Sequence, residues 1–70
     1  MKTTALISKL RKQGRKDGVA VRYDPRTGKG SHGRVWYGDR FTTVPGAGKE
    51  IGPGLLAKIC RDLGIAPDAL

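Results

Sequence analysis

The chain's single histidine, His32, follows the run Gly28-Lys29-Gly30-Ser31 and stands two residues before Arg34 and a strand-like Val35-Trp36-Tyr37. An imidazole exchanges protons near neutral pH and so can act as a general base or acid. Lys29 and Arg34 flank it and are suited to steady negative charge on a phosphate. Gly28 and Gly30 let the backbone come close to such a group. RNA carries its own nucleophile, the 2′-hydroxyl, so a ribonuclease needs a base, charge stabilisation and an acid for the leaving group. With one imidazole, either His32 plays both parts in turn, or a lysine, tyrosine or water donates the final proton. Ser31 has no second base or carboxylate in the local pattern and reads as a turn former or hydrogen-bond donor. Lys49, just ahead of a helix start, is a further phosphate-binding candidate or an idle surface lysine. The plain alternative is that His32 is a structural or solvated residue at a sheet edge.

Composition narrows the setting for that chemistry. Fourteen lysines and arginines oppose six acidic residues, a formal net charge of +8. The basic residues are spread along the whole chain, which points to a folded basic surface and to nucleic acid as partner. One cysteine excludes an internal disulfide, and one cysteine with one histidine cannot complete a structural zinc site; no cofactor is expected. Cys60 lies in an apolar pattern and reads as a small core residue. The first residues, MKTTALISKLRK, contain no apolar run long enough for a signal peptide or a membrane span. The expected setting is cytoplasmic and reducing, with no membrane partner.

The elements that must position the histidine can be read from periodicity. Seventy residues make one domain, and a small one, burying only about 60% of the surface its unfolded form exposes. Thr3 or Thr4 can cap a first helix with an apolar stripe of Ala5, Leu6, Ile7 and Leu10, ending near Gln13 with Gly14 as its stop. Val19, Val21 and Tyr23 alternate with Ala20 and Arg22 as in a half-buried strand. The turn-rich segment 24–30 interrupts it before a second strand, Arg34 to Tyr37. Gly38-Asp39 is a two-residue hairpin signal leading to a third strand, Arg40 to Val44. Val35 and Tyr37 alternate with Trp36, a residue able to stack on a base, and either set can face the interior. A second helix begins near Gly52 with Pro53 at its first position. Its apolar face is Leu55, Leu56, Ile59, Cys60 and Leu63, with Gly64 as stop and Ile65 as closing hydrophobic contact. The expected fold is α+β, in the order α-β-β-β-α: a three-stranded antiparallel sheet with two helices on one face. Double-stranded RNA-binding domains share this order.

Gly30-Ser31-His32 before a strand, then Thr42-Thr43-Val44-Pro45, Lys49-Glu50-Ile51 and a helix closing Leu63-Gly64-Ile65, together resemble the HicA family. These are small messenger-RNA-cleaving toxins of toxin–antitoxin pairs. The resemblance runs from the first helix to Ile65. It implies a fold like that of the double-stranded RNA-binding domain, a catalytic histidine at His32 and cleavage of mRNA without a metal. It also implies a HicB-type antitoxin that blocks the active site. The neighbours Lys29, Gly30, Ser31, Arg34 and Lys49 are then the expected RNA contacts. Two departures stand out. Gly46-Ala47-Gly48 occupies the place where HicA sequences often carry another histidine, and the loop Asp24 to Lys29 is longer and richer in glycine. A non-catalytic RNA-binding module on the same fold is the alternative, and a small basic ribosome-associated protein also fits the charge.

Overall fold

Leu6, Ile7 and Leu10 recur at helical spacing, and in the computed structural model they are buried on one face of a helix, α1, spanning Thr3–Asp17. The structure describes residues 1–26 and 32–70. Helix α1 runs a turn further than its sequence suggests. Gly14 lies buried within it, and Gly18, at φ 67°, ends it. The reason is tertiary: a Cβ on Gly14 would sit 2.7 Å from both the Val19 carbonyl oxygen and Val21 Cγ2, so the glycine lets the returning chain cross close to the helix. Ala5, expected in the apolar stripe, is exposed. Neither threonine caps the start. Lys2 occupies the N-cap without a side-chain hydrogen bond. The first-turn N–H groups of Thr3 and Thr4 donate instead to the carbonyls of Lys49 (3.1 Å) and Ala47 (3.3 Å), so a distant loop satisfies the open helix end.

The sheet comprises β1 (Val21–Asp24), β2 (Gly33–Tyr37) and β3 (Arg40–Val44), antiparallel and in sequential order. The β2–β3 turn is Gly38-Asp39 as expected; only Gly38 takes a positive φ, 65°, the pattern of a type II′ hairpin. Val35, Tyr37, Thr42 and Val44 are buried. This fixes the alternation left open by the sequence: Arg34 and Trp36 occupy the opposite face. A second helix, α2 (Pro53–Leu63), completes the α-β-β-β-α order, followed by one 3-10 turn at Pro67–Ala69. Its end has the anticipated form. Gly64 N–H donates to Arg61 C=O at 3.2 Å and Ile65 N–H to Cys60 C=O at 2.9 Å, the two bonds of a Schellman motif. Ile59, Cys60 and Leu63 of α2 are buried; Ile59 and Leu63 pack in one cluster with the α1 stripe and the inner sheet residues. Leu55, at the margin of that stripe, is 37% exposed.

Two carboxylates tie the helices to the sheet. Tyr37 O–H donates to Asp17 at 2.7 Å, and Thr42 O–H donates to Asp62 at 2.8 Å beside an equally direct Lys58 bond of 2.7 Å. Arg40 donates to the carbonyls of Asp62 (3.0 Å) and Arg61 (3.4 Å), placing a cation at the negative end of α2. The Tyr37 bond, then that from Gln13, holds the Asp17 carboxyl below its ordinary 3.8; Lys58, then Thr42, does the same for Asp62. Folding therefore favours their ionised forms. The stability they contribute is whole above about pH 4 and is lost as pH falls through the lowered values. At the alkaline end, burial and then the Asp17 bond push the Tyr37 hydroxyl from 10.0 up to about 12. That contribution is whole below about pH 10 and is lost as pH rises through about 12. Thermal melts at stepped pH should show both declines, and Asp17→Asn should flatten the acid one. A melting point that holds steady from neutral pH to about pH 2 would contradict the two ties.

Candidate active site

His32 is carried into place by the glycine that follows it. Gly33 opens β2, is buried, and pairs with Val44 of β3. A Cβ there would meet the Asp24 carbonyl oxygen at 2.8 Å and Pro25 Cα at 3.0 Å. These are backbone atoms and cannot swing aside as a side-chain end can. The chain leaving β1 is itself held in a tight turn, with Arg26 N–H donating to Asp24 Oδ1 at 2.8 Å. The two ends of the β1–β2 connection thus come together at Gly33, and the exposed His32 stands at their junction. Gly33→Ala is expected to destabilise the fold by about 1–3 kcal/mol through overpacking. Gly48→Ala, where a Cβ would meet nothing within 4 Å, is the control and should be near neutral in the same denaturant titration. Equal midpoints for the two variants would contradict the close approach at Gly33.

Of the residues expected to accompany His32, Lys29, Gly30 and Ser31 lie outside the described residues. Arg34 follows on β2, and its guanidinium stacks over aromatic rings, 4.8 Å from the Phe41 centroid and 5.8 Å from that of Trp36. Lys49 is exposed on the segment after β3. Its backbone is fixed at both ends, the N–H donating to Gly46 C=O at 2.9 Å and the carbonyl accepting from Thr3. The Gly33–Val44 pairing sets the start of β2 beside the end of β3, so His32 and the segment bearing Lys49 leave the same end of the sheet. The Asp17 and Asp62 ties join Tyr37 and Thr42 to the helix C-termini, while His32 lies at the start of β2. Among the described residues no group of three or more His, Cys, Asp or Glu side chains is gathered to hold a metal ion. No helix of the described residues is long and apolar enough to cross a membrane.

The sequence reading offers Trp36 as a stacking surface but misses Arg22 and Phe41, which join it around Arg34. Register sets Arg22, Trp36 and Phe41 in one row across the three strands. The Arg22 guanidinium lies 4.2 Å from the Trp36 centroid, and the Trp36 and Phe41 rings are 6.2 Å apart. Phe41 is 51% exposed. Their alternation along each strand was a usable signal; the pairing of β1 with β2 was the missing information. Tyr23, on the inner face, keeps its hydroxyl buried with no hydrogen-bond partner among the described residues.

A family model described as the HicA toxin of bacterial toxin–antitoxin systems matches residues 7–65. No curated protein and no solved structure matches the chain. The matched span takes in most of α1, the whole sheet with His32, and α2 through the Schellman contact at Ile65.

Proposed function

Because this chain belongs to the HicA family of toxins from toxin–antitoxin systems, with a cognate antitoxin as its partner, we propose that it is an endoribonuclease that cleaves messenger RNA with His32 as catalytic residue. The observation that carries the reading is the position of the only histidine: exposed, ahead of the central strand, beside a glycine too tightly enclosed to be replaced freely. The high positive charge supports a polyanionic substrate.

In the proposed reaction His32 removes the proton of a ribose 2′-hydroxyl, and the 2′-oxygen forms a bond to the adjacent phosphorus. The bond to the 5′-oxygen breaks, and that oxygen takes a proton from imidazolium, lysine, tyrosine or water. The products are a 2′,3′-cyclic phosphate and a 5′-hydroxyl end. Lys29, Arg34 and Lys49 supply positive charge to the phosphate and strand, with Gly30 and Ser31 offering backbone and hydroxyl donors. A HicB-type antitoxin, acidic where it meets this surface, neutralises the toxin by covering His32.

The test uses purified protein and end-labelled single-stranded RNA with a chelator present. Cleavage should persist without metal and leave cyclic phosphate ends. A single 2′-deoxy substitution at a cleaved position should block cleavage there. Cleavage that needs added metal, or that ignores the missing hydroxyl, would rule out this mechanism.

A further inference from the structure

The outer face of the sheet is the part of the molecule whose make-up the fold does not explain. Packing uses Val35, Tyr37, Thr42 and Val44 on the inner face. Nothing in the described chain covers the outer one, yet it carries the only tryptophan, the only phenylalanine and two arginines stacked on them. Beside Trp36, a hollow of about 310 Å³ is lined by Ala20, Arg22, Trp36 and Gly38. That volume is at the lower end for small-ligand sites, about 300–1,000 Å³. Aromatic rings with guanidinium groups laid over them form a surface of the kind on which unpaired nucleobases stack, with arginine charge left for the phosphates.

We infer that this face is a base-stacking subsite for single-stranded RNA, with one base on Trp36 in the hollow and the strand continuing toward His32. This inference rests on RNA being the substrate. Its geometry comes from strand alternation: Arg34 and Trp36 share the outer face, and His32 is in step with them one residue before β2. Trp36 lies four residues from His32, about 13 Å along an extended chain. The stacked base therefore belongs to a nucleotide removed from the scissile bond, and the subsite fixes where along the strand cleavage falls. A duplex hides its base faces and cannot use this surface. The outer-sheet contact thus differs from shape recognition of double-stranded RNA.

Trp36 reports on its own environment, since it is the only tryptophan. The full chain is titrated with a 2′-O-methyl RNA decamer, which lacks the attacking hydroxyl, and with the blunt duplex of the same sequence. Binding is followed in parallel by anisotropy of an end label. The single strand should quench Trp36 emission saturably, and the duplex should not. Trp36→Ala should weaken single-strand binding roughly 5- to 150-fold, the equivalent of about 1–3 kcal/mol for one stacked base, and Trp36→Phe should recover most of it. Because the fluorescence readout uses the unaltered protein, poor folding of a variant does not cloud it. Binding of the decamer with unchanged Trp36 emission overturns the subsite and leaves cleavage at His32 standing. Absence of decamer binding overturns the subsite too, and whether RNA is the substrate is then read from the cleavage assay alone. Quenching by purified antitoxin but not by the decamer makes the face a protein interface, which also overturns the inference.

Discussion

His32→Ala is expected to lower RNA cleavage by the purified protein about 100- to 10,000-fold, the usual contribution of a positioned general acid–base group. The fold should survive. His32 is exposed and lies outside the hydrophobic cluster, and surface substitutions of this kind usually change stability by no more than about 0.5 kcal/mol. In a bacterial host the contrast should be visible without purification. Induced wild type arrests growth and degrades messenger; His32→Ala, at equal soluble abundance, does neither. If both proteins are harmless, or both equally harmful, His32 is not the catalyst and the non-catalytic RNA-binding reading becomes the better account.

Leu10→Ala should abolish toxicity for a different reason. Leu10 is fully buried at the centre of α1's inner face, and Ile59 is its counterpart on α2. Truncating a buried leucine costs about 2–5 kcal/mol in lost transfer energy and residual cavity. A chain of this length has about 3.5–10 kcal/mol in all. The melting temperature should fall on the order of 10–40 °C, and soluble protein should become scarce in cells. Loss of toxicity then coincides with loss of protein, the opposite of the His32→Ala pattern. A Leu10→Ala protein that melts within a few degrees of wild type would contradict the packing of α1 against the sheet.

Elements governed by neighbouring residues were the most legible in the sequence. The Gly38-Asp39 hairpin, the limits of β3 and the Gly64-Ile65 closure of α2 each follow from a short-range rule, and each has its expected form. Where two sites satisfied the same rule, distant contacts chose between them. Gly14 and Gly18 are equally good helix stops by type, but only packing against Val19 and Val21 uses Gly14 inside the helix. The threonine cap was displaced in the same way, by carbonyls some 45 residues away in the chain.

The candidate site divides along similar lines. His32 could be singled out from the sequence as a lone imidazole among glycines and cations, and the structure leaves it exposed just ahead of β2. The arginine–aromatic row was not, because it exists only across strands. A two-residue turn fixes Trp36 opposite Phe41, but the placing of Arg22 depends on how β1 meets β2 across the connection from Pro25 to His32. Nothing in the sequence singles out Gly33; the nearness of Asp24 and Pro25 gives it its importance.

Cys60, on α2, is fully shielded from solvent, and burial raises its thiol pKa. Thiol reagents attack the thiolate, so modification in the native protein must wait for the molecule to open. As the only cysteine in the chain, it reports one process. The labelling rate, followed against reagent concentration, separates how often α2 lifts away from how long it stays lifted. Protection comparable to the global unfolding free energy would mean that α2 leaves only when everything unfolds. Faster labelling would measure a partial opening of this helix, a motion invisible to equilibrium melting.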